Sequence, residues 1–281
     1  MQISQAEKGK RFHALHARAG AFVIPNPWDA GTARILTSLG FEALTTTSAG
    51  LAFTLGKRDG TGAVTRAETL ANAAAIVAAT DLPVAADLEN GFGDAPEAAA
   101  ETIRLAAEEA GLVGGSIEDA TGDARNPIYD FAHAVERVAA AAEVVRSLEF
   151  PFVFVARAEN FLHGRADLDD TIRRLQAFEA AGAGALYAPG LVRPDDVRTV
   201  CASVKLPVNV LMGMVRAGDR PLSVEELGEL GARRISLGGS LSRVALGAFV
   251  RAAREVRERG TFSFVSDALP SDEANRLMRA D

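Results

Sequence analysis

The 281-residue chain carries 30 Lys and Arg against 37 Asp and Glu, a formal charge of −7 with a sequence pI near 5.3, which argues against a nucleic-acid or anionic-membrane binder. With 48% hydrophobic and 24% charged residues, the disordered, collagen-like and coiled-coil classes drop out. The single Cys201 cannot pair internally, charges run through the first twenty residues where a signal peptide needs an apolar stretch, and no window reaches the roughly 18 apolar residues of a membrane span, so the cytoplasm is the expected address.

In chain order, a helix over 4–19 comes first, within a leader of residues 1–20 that should cover one end of the fold. His13 and His16 lie three apart on it; the reading is of a solvent-facing helix with no third ligand nearby for a metal. Short apolar runs then recur at 21–24, 43–47, 84–86, 112–117, 152–156, 185–187, 208–211 and 234–237. Most are followed by a turn and a longer segment of helical periodicity, as at 29–39, 66–79, 96–110, 131–148 and 169–181. Gly40, Gly111, Gly182 and Gly231 each stand between a helix and the next strand, where a left-handed residue closes the helix. Eight β-then-α units in about 250 residues predict a (β/α)8 TIM barrel with all strands parallel. After the eighth unit the chain continues through 243–259 and ends with a polar helix over 271–279, introduced by Leu269-Pro270. The expectation is one barrel domain over 1–281, with the extension from about 259 packing on a partner or neighbouring barrel.

Barrel enzymes carry their reacting groups at the C-terminal ends of the strands, and here those ends are acidic. The second unit leads to Gly56-Lys57-Arg58-Asp59-Gly60, the third strand to Asp87-Leu88-Glu89-Asn90, the fourth to Glu118-Asp119 and the fifth to Arg157-Ala158-Glu159-Asn160. If the extended conformation persists, strand alternation points Asp87 and Glu89 the same way. Asp59, Asp87, Glu89 and Glu118 held together would repel and raise one another's pKa unless a cation neutralised them. Oxygen ligands without His or Cys select Mg2+, or Mn2+, over Zn2+. The alternative for each acid is a helix cap or a pair with a barrel arginine.

Arg157, at a strand end, suits an anionic substrate held bidentately; its alternative is a salt bridge to Glu159 or Glu118. Thr45 to Gly50, including Thr47, Ser48 and Ala49, offers hydroxyls and N–H groups to a developing oxyanion, and is also good β sequence. Leu237-Gly238-Gly239-Ser240 reads either as a phosphate cradle or as a tight turn. None of the four lysines, Lys8, Lys10, Lys57 and Lys205, falls on a strand end, which excludes an evident Schiff-base nucleophile; Cys201 reads as core.

These residues resemble the isocitrate lyase and phosphoenolpyruvate mutase superfamily from Pro25-Asn26-Pro27-Trp28-Asp29-Ala30 through Ser236-Leu237-Gly238-Gly239-Ser240. Thr47-Ser48-Ala49-Gly50, Gly56-Lys57-Arg58-Asp59, Asp87-Leu88-Glu89-Asn90-Gly91-Phe92-Gly93 and Glu118-Asp119 are similar to its motifs, and Arg157 to its substrate-binding arginine. The resemblance implies a Mg2+-dependent enzyme acting on a 2-oxo or 2-hydroxy carboxylate through an enolate, and a homotetramer with exchanged C-terminal helices. Glu89 departs from the family's aspartate. The loop from Ala120 to Pro127 lacks the thiol motif of isocitrate and methylisocitrate lyases and the lysine of the mutase and phosphonopyruvate-hydrolase branches, offering only Arg125. Ala188-Pro189-Gly190 stands where the family's lyases bring a glutamate. Asn209, inward-pointing by parity, is similar to the Val-Asn-Val of members that decarboxylate oxaloacetate.

The expectation is a Mg2+-dependent lyase or decarboxylase of a small 2-oxo dicarboxylate such as oxaloacetate. Asp87 would bind the ion directly and Asp59, Glu89 and Glu118 through water. Arg157 would anchor an anionic end, with Thr47, Ser48, Ala49 and Asn209 lining the substrate. Phosphonopyruvate P–C chemistry, and a 2-oxo acid binding protein with little turnover, are the rival readings.

Overall fold

A computed structural model describes residues 3–214 and 220–279. Its strands are β1 (Phe22–Ile24), β2 (Leu44–Thr45), β3 (Val84–Asp87), β4 (Gly114–Glu118), β5 (Val153–Arg157), β6 (Ala185–Tyr187), β7 (Val208–Leu211) and β8 (Arg234–Ser236). All pairings are parallel, in the order β1-β8-β7-β6-β5-β4-β3-β2. The seam between β1 and β2 is bridged just past β1, where Thr45 N–H donates to Pro25 O at 3.1 Å and Asn26 Nδ2 to Thr46 O at 2.9 Å. The barrel that the β-then-α repeat predicts is therefore present and nearly closed.

The helices are α1 (Gln5–Ala17), α2 (Ala30–Ser38), α3 (Ser48–Thr54), α4 (Arg66–Ala78), α5 (Pro96–Glu108), α6 (Phe131–Ser147), α7 (Leu168–Ala181), α8 (Pro194–Ser203), α9 (Val224–Glu229), α10 (Ser240–Arg259) and α11 (Ser271–Leu277). Short polar side chains start several of them: Asp29 and Thr65 form capping boxes with Thr32 and Glu68, and Asp167 accepts from Asp170 N–H. β2 is shorter than the apolar run at 43–47 suggests. Thr47 turns out of the strand and caps α3, a seven-residue helix of about two turns that periodicity did not reveal.

Two cores follow from strand alternation. Outward side chains such as Ala86, Ile117, Phe154 and Leu186 pack beneath the helices, while Phe22, Ile24, Ala85, Val153, Val155 and Ala185 fill the barrel interior. The interior is closed below by α1, whose Phe12 is fully buried among Phe22 and Val153, which begin β1 and β5, and Val113, which precedes β4. α1 is not solvent-facing on the side of His16. Phe12, Leu15 and His16 share a buried face, His13 is exposed, and the His pair forms no metal cluster among the described residues. His16 Nδ1 lies 2.8 Å from Phe12 O, and its ring meets Phe12 and Phe22 edge-on.

α10 behaves differently from the other long helices. Only Ser242 along it is buried, and Val244, Leu246, Phe249 and Val250 are exposed. Beyond it α11 returns to α2, with Arg34 Nη1 donating to Met278 O at 3.1 Å. No helix among the described residues is long and apolar enough to cross a membrane.

Candidate active site

Arg157 ends β5 two residues after the inward Val155, so alternation carries it into the barrel mouth. Register sets it beside Glu118 on β4 and Tyr187 on β6. Its Nη1 donates to Asp87 Oδ1 at 2.9 Å, Nη2 stands 3.0 Å from Glu118 Oε2, and Nε donates to Glu159 Oε1 at 2.9 Å. The guanidinium also lies 5.0 Å from the centre of the Tyr187 ring. Both alternatives for the sequence acids thus meet here: Asp87 and Glu118 do pair with a barrel arginine, and they do converge on one spot.

Asp87 ends β3. Its N–H donates to Thr46 Oγ1 at 3.0 Å, and its Oδ2 accepts from Ser48 Oγ at 2.8 Å and from Ser48 N–H at 3.3 Å. The expected extension of the strand to Glu89 fails. Glu89 has φ 47° and the chain turns at Gly91, whose N–H donates to Leu88 O at 2.9 Å. Glu89 is nonetheless returned toward Asp87, with its N–H 3.3 Å from Asp87 Oδ1. Phe92, at φ 60°, is the other non-glycine in this left-handed region among the described residues. Such backbone is held by its surroundings: a Cβ on Gly91 would meet Ala99 Cα at 2.9 Å. Below the turn, the fully buried Arg137 donates to the carbonyls of Asn90, Gly93, Asp94 and Ala95.

Electrostatics follow from this crowding. Burial, then the charges of Asp87 and Asp59, push the Glu89 carboxyl up to about 7, against the pull of Arg157. Asp59, on its exposed Gly56–Gly60 loop, is raised by desolvation and by Asp87. Glu118 is raised well above the usual carboxylate range by burial, with Arg157 opposing and Glu159, Asp87 and Glu89 reinforcing. Glu159 rises to about 6, also mainly through burial. Five acids therefore share the charge of one arginine. Among the described residues no three of them are placed to ligate one ion directly, yet the all-oxygen donor set and its surplus negative charge fit a hard divalent cation bound partly through water.

A second tier fixes the first. Asp119 Oδ1 accepts from Glu159 N–H at 2.8 Å, its Oδ2 stands 3.0 Å from Arg174 Nη1, and Arg174 reaches back to Asp170 at 2.8 Å. Glu159 entered the sequence reading only as a salt-bridge partner, and Arg174 and Arg137 lie mid-helix where nothing but burial distinguishes them. The Ala120–Tyr129 loop is held by the Ala120–Ile128 bridge, and its Arg125 is exposed and paired with Asp123 at 2.9 Å. Lys57 is engaged with Glu68 at 2.5 Å.

Asp87 and Arg157 form one wall of a cavity of about 110 Å3 that also touches Thr47, Ser48, Ala49, Tyr187, Asn209 and Arg234. That is well below the roughly 300 Å3 at which drug-sized ligand pockets begin, and suits a small acid. Gly238 and Gly239 reach it too, but the Leu237 and Gly238 N–H groups both donate to Asn26 Oδ1 at 2.9 Å, and Ser240 N–H donates to Leu237 O. The glycine loop is therefore an internally bonded turn, with most of the amides a phosphate would use already engaged.

A parallel barrel with an acid-and-arginine cluster at its C-terminal mouth has the layout of a barrel enzyme's active site. The chain belongs to the phosphoenolpyruvate phosphomutase family, whose profile matches residues 12–257, within the superfamily of lyases and mutases that includes isocitrate lyase. A crystal structure from Burkholderia cenocepacia J2315, provisionally described as a lyase/mutase, is 57% identical, with TM-score 0.94 over 98% of this chain and 97% of that one. The 2-methylisocitrate lyase of Bacillus subtilis is 27% identical, covering 92% of this chain and 85% of its own. Oxaloacetate decarboxylase of Ectopseudomonas mendocina is also 27% identical, over 91% and 87%. Identity alone therefore does not choose between those two reactions.

Proposed function

We propose that this enzyme is a Mg2+-dependent lyase that breaks a C–C bond in a small 2-oxo dicarboxylate such as oxaloacetate, by way of an enolate. The observation that carries the reading is the Arg157 guanidinium held among Asp87, Glu118 and Glu159 at the wall of a cavity sized for a small acid. Asp87 would hold the ion directly, with Asp59, Glu89 and Glu118 acting through water. When bound, it supplies Lewis-acid polarisation of the 2-oxo group.

The chain's own residues supply the rest. Arg157 Nη1 and Nη2, now engaged by Asp87 and Glu118, are the donors a substrate carboxylate would take over, while Glu159 keeps Nε oriented. Thr47, Ser48 and Ala49 border the cavity where α3 begins; Ser48 N–H is taken by Asp87 and Gly50 N–H by Thr47 Oγ1, which leaves the Ala49 N–H to meet the oxygen that would gain charge as the C3–C4 bond breaks. The electron pair of that bond enters the enolate, CO2 leaves, and C3 is protonated. The absence of the loop thiol argues against 2-methylisocitrate cleavage, and the engaged amides of Leu237 and Gly238 give no support to a phosphorylated substrate. The exposed apolar face of α10 supports a homotetramer in which C-terminal helices are exchanged.

The test is pyruvate release from oxaloacetate, and from phosphonopyruvate in parallel, with Mg2+ and with EDTA, for the wild type and Asp87→Ala. Metal-dependent release from oxaloacetate, abolished in a folded Asp87→Ala protein, is expected. Release from phosphonopyruvate alone, or full activity of Asp87→Ala, overturns the reading.

A further inference from the structure

The cavity has a second cation that the chemistry above does not use. Arg234, on β8, is 4% exposed and projects into the barrel interior beside Asn209 and Phe22, its register neighbours. It takes part in no ion pair among the described residues, and neither its Nε nor its Nη1 has a hydrogen-bond partner. Its guanidinium rests 5.9 Å from the centre of the Phe12 ring, below the cavity that its side chain helps line.

Among the described residues its surroundings offer no countercharge. Desolvation and the Arg234 charge itself push the neighbouring His16 down to about 3, so that imidazole is neutral. Tyr187 is an un-ionised phenol, and the mouth carboxylates are gathered around Arg157. A buried guanidinium without a partner bears the cost of its lost hydration uncompensated. The adjoining Asn209 also has an unmatched atom: its Nδ2 donates to Ser236 Oγ at 2.9 Å while Oδ1 has no partner. Turning that amide over would place Oδ1 against the Ser236 hydroxyl, which can donate, and present Nδ2 to the cavity.

We infer that Arg234, with Asn209, forms a second anion subsite that receives the distal carboxylate of a dicarboxylate whose 2-oxo end lies at Arg157. This deepens the proposed function and rests on it for the position of the 2-oxo end. The cavity then has a cation at each end. Arg157 is shared with acids, whereas Arg234 has no acid partner among the described residues, so substrates with one carboxylate leave it buried and bare.

Calorimetric titration with oxaloacetate and with 2-oxobutyrate, which lacks the distal carboxylate, separates the two ends. In the presence of Mg2+, Arg234→Met should weaken oxaloacetate binding by roughly 10- to 100-fold, the worth of a charge-assisted hydrogen bond, and leave 2-oxobutyrate unchanged. Arg234→Lys, which keeps the charge without the planar fork, should fall between. Equal weakening of both ligands, or of neither, overturns the subsite. Because Arg234→Met could fail to fold, bromide anomalous scattering on wild-type crystals gives an independent reading. A bromide against Arg234, displaced by malonate, is expected, and none there overturns the proposal. Malonate has no 2-oxo group, so a malonate-displaced bromide in a protein that does not cleave oxaloacetate would sink the proposed reaction and leave the subsite standing.

Discussion

Arg157 Nη1 lies 2.9 Å from Asp87 Oδ1, and the same guanidinium holds Glu118 at 3.0 Å and Glu159 at 2.9 Å, so one buried cation joins the ends of three neighbouring strands. Removing it leaves acids that are already hard to ionise without the one cation paired with them among the described residues. Arg157→Met should therefore lose roughly 3–5 kcal/mol of stability, less whatever protonation of Glu118 and Glu159 recovers. For the reaction, loss of an anchor worth about 2 kcal/mol raises KM roughly 30-fold. Arg157→Lys should restore more of the thermal stability than of the KM, because the charge survives but the fork does not. Thermal melts and steady-state kinetics check both halves; an unchanged KM moves the anchor elsewhere.

How far this site is legible in the sequence can be argued residue by residue. Arg157, Asp87 and Glu118 are readable because short parallel strands end where their apolar runs end, and the acids follow at once. Glu89 is readable as to place but not as to path: alternation puts it beside Asp87, whereas a left-handed turn does so. α3 is hidden because the Thr-rich run reads as strand until Thr47 caps it. Arg234 is hidden for another reason. Parity places it inward, but only three-dimensional packing shows that no acid among the described residues answers its charge.

Gly114 begins β4 because the barrel floor has no room for a side chain there. An added Cβ would stand 2.6 Å from Phe12 Cε1 and 3.0 Å from Val153 O. The ring can move only by withdrawing from the interior, and the carbonyl is part of the sheet. Gly114→Ala should cost about 1–3 kcal/mol by overpacking. A Phe12→Leu partner should recover part of that, so a double-mutant cycle on melting temperatures should show favourable coupling. Additive losses would mean that the sheet, and not α1, resists the methyl group.

His16 gives a pH dependence of known sign. Burial and Arg234 hold its folded pKa near 3, against an unfolded value near 6.5, so below pH 6.5 the unfolded chain binds more protons than the folded one. Its contribution to stability is complete above pH 6.5 and is lost as pH falls toward 3, amounting to about 2 kcal/mol by pH 5. The raised carboxyls of Glu89 and Glu159 act in the opposite direction, so the difference between proteins is the informative quantity. His16→Leu should flatten the acid side of the stability curve relative to wild type between pH 6.5 and 5. Parallel curves for the two proteins would show that His16 takes up its proton in place.

α10 is 20 residues long, carries Val244 at 67% and Phe249 at 70% exposure, and buries only Ser242. A helix with that apolar face has little reason to extend from its own barrel unless another surface covers it. If copies of the chain exchange this segment, as proposed, a charge at the face's centre must be buried unpaired on assembly. Phe249→Asp should therefore convert the wild-type oligomer to smaller species in sedimentation velocity while leaving the far-ultraviolet spectrum of the barrel intact. Identical sedimentation of the two proteins would place the subunit contact on another face, and a wild-type monomer would remove the helix exchange altogether.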